Sequence, residues 1–161
     1  MILIKKAMLD NMAKIKKQGD GTLAQLSEAQ LLWQPDQNSN SIEILVKHLE
    51  GNIRSRSTDF LTTDGEKANR VRDDEFRSDY ASKEAIIACW EAAWRQFFAQ
   101  VNNLSDDDFD REVSLKGATL SVTEALVTQI VHYSGHIGQM MYIGKLVMQD
   151  DWQTLSIPKV Q

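Results

Sequence analysis

Ser121-Val122-Thr123-Glu124-Ala125-Leu126-Val127-Thr128-Gln129-Ile130-Val131-His132-Tyr133-Ser134-Gly135-His136 opens the longest helical stretch of the chain. Its first four residues form a capping box, in which the Ser hydroxyl accepts from the amide three residues on and the Glu carboxylate reaches back to the Ser amide. From there apolar residues carry the helix to about Met148, and Leu126, Val127, Ile130, Val131, Ile137, Met140, Met141, Ile143 and Leu146 fall on most of its circumference. A helix apolar nearly all round is a buried one. Gly135 and Gly138 each weaken a helix interior by roughly 1 kcal/mol relative to Ala, so they predict the close approach of a neighbouring helix. His132 and His136 stand four apart, which stacks their rings one turn above each other on a single face.

Outward from this helix the period stays near 3.6, and only Pro35 and Pro158 interrupt it. A first helix is expected from about Ile2 to Gln18, with Ile4, Met8, Met12 and Ile15 on one face and a break or kink at Gly19-Asp20-Gly21. Ser27-Glu28-Ala29-Gln30 is a second capping box, opening a short turn that ends at Pro35. Asn40-Ser41-Ile42-Glu43 has the same pattern, with Asn as cap, and starts a helix running to about Leu61 that carries His48. A third long helix opens near Ser82 and repeats Ile86, Trp90, Trp94, Phe97 and Val101 on its inner side. The expectation is an all-α fold of four long helices near residues 2–18, 40–61, 82–104 and 121–148, with no sheet. The polar stretch from Thr62 to Ala81 separates the second from the third, and connections of that length are commonly functional.

His48, His132 and His136 are the only histidines in the chain. Packing the second helix beside the fourth brings three imidazoles to one point, and three ligands leave a coordination position open, as in a catalytic rather than a closed structural metal site. A lone histidine on an apolar face is more often a hydrogen-bonded core residue, but two stacked imidazoles among aliphatic side chains are costly to bury without a partner. His132-Tyr133-Ser134-Gly135-His136 lacks the Glu after its first His that a zincin protease uses as base. Asn52, Gln129, Tyr133 and Gln139 lie close to the histidines in sequence. Glu43, Glu50 and Glu124 are equal candidates for orienting an imidazole. The charged run Arg70-Val71-Arg72-Asp73-Asp74-Glu75-Phe76 reads first as a solvated loop, and otherwise as a flap closing on the site to hold an anionic substrate.

Composition bounds the rest. With 161 residues, 42% of them apolar, the chain suits one domain with a full core. Its net charge of −5, with 18 dispersed Lys and Arg, offers no footprint for nucleic acid. No run reaches membrane-span length and no cleavable leader is evident, so the cytoplasm is the default location. Cys89, the single cysteine, reads as a small core residue.

The segments Val46-Lys47-His48-Leu49-Glu50-Gly51-Asn52, Thr58-Asp59-Phe60-Leu61-Thr62-Thr63-Asp64-Gly65-Glu66-Lys67 and His132-Tyr133-Ser134-Gly135-His136-Ile137-Gly138-Gln139 together resemble the DinB/YfiT-like superfamily, in one of its uncharacterised bacterial branches. The resemblance covers nearly the whole chain, as one domain over 1–161. It implies a four-helix bundle of up-down-down-up connectivity in which His48, His132 and His136 coordinate Zn²⁺ or Ni²⁺. It also implies a metal-dependent S-transferase or hydrolase acting on small molecules with a low-molecular-weight thiol such as bacillithiol or mycothiol. A homodimer is expected from the same resemblance and from the apolar side chains of helices one and three. The alternative is a non-catalytic, metal-stabilised dimer that binds a partner through a patch including Trp33, Trp90, Trp94 and Trp152.

Overall fold

A computed structural model describes residues 2–157, without the side chain of Ile2; Pro158 lies outside the described residues. The described residues form five α-helices: α1 (Ile2–Gln25), α2 (Glu28–Leu31), α3 (Ile42–Ser57), α4 (Lys83–Asn103) and α5 (Val122–Met148). The four long ones form the bundle, α3 packing on α4 and α5, and α1 on α5 and α4. Its centre is aromatic. Trp90, Trp94 and Phe97 of α4 and Tyr133 of α5 are fully buried there, with rings 5.3 to 6.0 Å apart in mostly edge-on pairs. Trp90 and Trp94 are therefore core residues and cannot belong to a surface patch. Among the described residues, no helix is long and apolar enough to cross a membrane.

Both Ser-led capping boxes form as expected, at Ser27 with Gln30 and at Ser121 with Glu124. The α3 start differs. Ser41, not Asn40, caps it by accepting from the Ile44 amide, and Glu43 is turned inward instead of back to the cap. That helix also ends at Ser57, four residues earlier than expected.

Three further expectations are corrected. α1 does not break at Gly19-Asp20-Gly21 but continues to Gln25. A Cβ at Gly19 would meet the Trp90 ring (Cη2 at 2.6 Å) and one at Gly21 would meet Leu155 (Cδ2 at 2.6 Å), while Asp20 accepts from Trp90 Nε1 at 2.6 Å. The glycines are there for close packing, not for a turn. The fold is also not free of sheet. β1 (Glu112–Leu115) and β2 (Ala118–Ser121) pair antiparallel across Lys116-Gly117, whose φ values of 53° and 75° are those of a type I′ turn. Finally, α5 is not buried all round. Val127, Val131, Tyr142 and Leu146 are exposed, and Gly135 and Gly138 lie on the same open side, where an added Cβ would meet nothing within 4 Å.

The segment between α3 and α4 is ordered by carboxylates. Asp64 accepts from the amides of Glu66, Lys116 and Gly117 at 2.7, 2.9 and 2.8 Å, tying the segment to the hairpin turn, and the Gly65 amide donates to Ser114 O at 2.8 Å. These bonds, led by the one from the Ser114 hydroxyl, hold the Asp64 carboxyl well below the usual carboxylate range. At the other end Glu43 accepts from the amides of Asp79 and Tyr80 at 3.0 and 3.1 Å. Tyr80 in turn donates its hydroxyl to Cys89, which is half-buried at the edge of the core.

Candidate metal centre

His48 projects from the second turn of α3, and His132 and His136 from consecutive turns near the middle of α5. The helices bring all three together, with one ring nitrogen from each lying within 4.8 Å of the others. His132 Nε2 lies 3.2 Å from His48 Nε2 and 3.0 Å from His136 Nε2. The rings stand nearly perpendicular to one another, at 78° to 90°, so their edges point at a common centre. Among the described residues, no Cys, Asp or Glu joins this cluster.

The outer nitrogens fix which edges carry lone pairs. His48 Nδ1 donates to Glu75 Oε2 at 2.9 Å, and His136 Nδ1 donates to the Gln139 side-chain oxygen at 2.9 Å. In a neutral imidazole the other nitrogen is then an acceptor, so Nε2 of His48 and of His136 both present lone pairs inward. His132 Nε2 has at most one proton to give to two such neighbours. Burial, followed by the charges His136 and His48 would carry, pushes His132 down to about 3, and burial also lowers His136. Three neutral imidazoles with converging lone pairs are a donor set that fits a divalent cation.

Glu75 is the residue that sequence reasoning placed among solvated charges, and the structure puts it at the heart of the site. Its side chain is 8% exposed, and it accepts from Arg70 Nε at 2.7 Å and Arg70 Nη2 at 2.8 Å as well as from His48. Burial raises its pKa, but the bonds from His48 and Arg70 outweigh that and hold it below the ordinary carboxylate value. Arg70 is shared with Glu66, at 3.1 and 3.2 Å. The Arg70–Phe76 run thus closes on α3, and the Phe76 ring lies 5.0 Å from the His48 ring. Of the carboxylates expected to orient an imidazole, none does so: Glu43 holds the loop end, Glu50 pairs with Arg54, and Glu124 caps α5. One signal for Glu75 stands in the sequence. Gly51, one turn beyond His48 on α3, has no room for a Cβ because the Glu75 carboxyl (Cδ at 2.6 Å) occupies that place.

Of the helpers named from sequence, Asn52 is buried and accepts from both Tyr133 Oη at 3.2 Å and Arg56 Nε at 3.1 Å. Gln139 orients His136, and Gln129 is buried without a hydrogen-bond partner. A cavity of about 230 Å³ has His48 and His132 in its wall. A larger groove of about 760 Å³ is lined by Gly135, Gly138 and Tyr142 of α5 and by the 35–40 loop.

Fold and site together define a mainly helical protein with an inward-facing three-histidine centre of the metal-ligand type. A model of the family described as "Protein of unknown function (DUF1572)" matches residues 4–161, and the chain belongs to that family. No curated protein matches it.

Proposed function

We propose that His48, His132 and His136 hold one divalent cation, zinc or nickel, and that the protein is a DinB/YfiT-like enzyme acting on a small-molecule substrate by thiol S-transfer or hydrolysis. The observation that carries this reading is the set of converging imidazole lone pairs, two of them imposed by Glu75 and Gln139. When bound, such an ion acts as a Lewis acid that makes a water or thiol acidic enough to react near neutral pH. The residues around it do the rest. Glu75 fixes the tautomer and tilt of His48, Arg70 keeps Glu75 ionised, and Phe76 shields the His48 ring.

The bundle itself supports the superfamily reading. Lys5 near the start of α1 donates to the Asn102 and Leu104 carbonyls at the end of α4, and Lys83 at the start of α4 donates to Leu26 O just beyond α1. Gln25 at the end of α1 meets Gln153 beyond the end of α5, and Glu43 at the start of α3 meets the residues leading into α4. These contacts favour up-down-down-up connectivity, and the reading carries with it a single domain over 1–161 acting in the cytoplasm.

The second reading, a metal-stabilised homodimer without catalysis, is favoured by the exposed Val127, Val131, Tyr142 and Leu146 on α5. Catalysis is preferred because a cavity reaches His48 and His132, whereas a structural ion is enclosed by protein ligands. The test is metal analysis of protein purified without a nickel column, followed by zinc titration of wild type and His132→Ala and a screen of thiols with electrophiles. Wild type is expected to bind one equivalent and His132→Ala to lose most of the affinity. Absence of metal from wild type and no binding on titration would refute the reading. A mass near 18 kDa in light scattering would remove the dimer.

A further inference from the structure

The cavity against His48 and His132 is walled by four cations, Arg56, Arg70, Arg72 and Lys116, and by a single carboxylate, Glu66. Arg70 is committed to Glu66 and Glu75. Among the described residues the other three form no ion pair: Arg72 lies over the Phe76 ring at 5.7 Å, and Lys116 stands at the hairpin turn. Arg56 is half-buried, and its Nε donates to Asn52 Oδ1 at 3.1 Å, which orients the guanidinium and leaves its terminal nitrogens without a protein acceptor. Burial pushes its pKa down, as expected for a cation that has lost water without gaining a carboxylate in contact.

A second observation points into the same cavity. Gln129 lines it, is 1% exposed, and neither its amide nitrogen nor its amide oxygen has a hydrogen-bond partner. Unpaired buried amides are rare because their desolvation is not compensated. Gln129 lies three residues before His132, so both face the cavity from adjacent turns of α5.

We propose that this pocket binds an oxyanion, a carboxylate or a phosphate, and that the oxyanion is the recognition end of the substrate brought to the histidine centre. Arg56 presents two parallel N–H donors, the geometry that suits a planar or tetrahedral oxyanion. Gln129 adds a neutral donor from α5 and Lys116 a point charge from the hairpin. A volume of about 230 Å³ takes a small acid group rather than a large ring system. The assignment of the anion to a substrate rests on the metal-centre reading, but the pocket's charges do not depend on the metal.

The experiment is calorimetric titration of chelator-treated full-length protein with inorganic phosphate and, separately, with succinate. Wild type is expected to bind at least one of them saturably, the tighter probe naming the source of the oxyanion. Arg56→Gln is expected to weaken that binding by about tenfold to a hundredfold, the range for removing a charged hydrogen-bond donor. Gln129→Leu is expected to weaken it severalfold while leaving the melting temperature unchanged or raised, and this arm holds even where Arg56→Gln fails to fold. Lack of saturable binding to wild type, or unchanged binding in the folded variants, overturns the proposal. Zinc titration of the same samples separates the two readings: zinc bound with no anion held sinks the pocket alone, and anion held with no zinc bound sinks the metal centre and leaves the pocket standing.

Discussion

Glu75→Gln is the substitution that best separates building a site from building a fold. The amide has the shape of the carboxylate, so it leaves no cavity. Its oxygen can still accept from His48 Nδ1, but its nitrogen then faces Arg70 Nε, donor against donor, where Glu75 Oε1 now accepts at 2.7 Å. The Arg70 side chain is 6% exposed and keeps Glu66 as its one carboxylate, together with the Nη2 bond to the remaining oxygen of residue 75. Removing one partner of a buried ion pair costs about 3–5 kcal/mol, and the surviving Glu66 contact places the loss near the lower end, about 3 kcal/mol. For a chain of this length that is a fall of roughly 6–12 °C in melting temperature. The neutral amide also polarises the His48 ring less than a carboxylate does. Loss of such an outer partner weakens metal binding by about 10–100-fold, or about 1.4–2.7 kcal/mol. Thermal unfolding of chelated protein reads the first quantity and competitive zinc titration reads the second. A melting temperature that falls while zinc affinity stays within about twofold of wild type would refute the role given to Glu75 at His48, and no change in either would refute the whole Glu75–Arg70–His48 network.

The pH dependence follows from the depressed histidines. Because burial and the neighbouring imidazoles lower His132 to about 3 against 6.5 for a free histidine, the unfolded chain binds more protons between those values; metal-free protein therefore loses stability as pH falls from about 6.5 toward 3, and denaturant midpoints at pH 7.5 and 5 read the loss. His132→Gln is expected to shrink that difference, and an undiminished difference would assign it elsewhere. Metal affinity should fall over the same acid limb, since protons compete for the imidazoles. Gly19→Ala drives a methyl into the buried Trp90 ring and is expected to cost about 1–3 kcal/mol, whereas Gly135→Ala enters open space and is expected to gain about 0.5–1 kcal/mol from helix propensity. The opposite order of melting temperatures would contradict this packing of α1 and α5.

What the sequence showed of the fold was what local patterns encode. The Ile86-Trp90-Trp94-Phe97-Val101 stripe and the Ser121 capping box needed only neighbours three or four residues away, and both elements lie where those patterns put them. Gly19 and Gly21 misled because their reason is tertiary: the surfaces of Trp90 and Leu155 are far away in sequence. The hairpin escaped because two four-residue strands carry too little alternation to register, leaving Lys116-Gly117 as the one strong cue. The same division runs through the site. His132 and His136 are legible as an i, i+4 pair, and His48 followed from there being no other histidine. Glu75 was not legible, because a loop 27 residues from His48 delivers it and only Gly51 hints at its arrival.

Charge shows most clearly how far composition can mislead. A chain of net charge −5 would be expected to draw cations, yet the wall beside the histidines is cationic. Several of the carboxylates are engaged in holding the structure together. Asp20 takes Trp90 and Lys16, Glu43 takes the end of the segment before α4, Asp64 takes the hairpin turn, and Glu75 takes Arg70 and His48. Of these, Asp20 and Glu75 are paired with Lys16 and Arg70, whereas Asp64 is held by neutral donors and its charge is still felt at Arg56. At physiological salt, charges more than about 8 Å away are screened in any case, and a ligand in the cavity responds to the groups that touch it. Arg56, Arg72 and Lys116 are those groups, brought there from α3, from the loop and from the hairpin. The carboxylates that hold the loop and hairpin in place are therefore what allow an acidic protein to present a cationic pocket, and displacing Glu75 or Asp64 would disperse that pocket together with the support of His48.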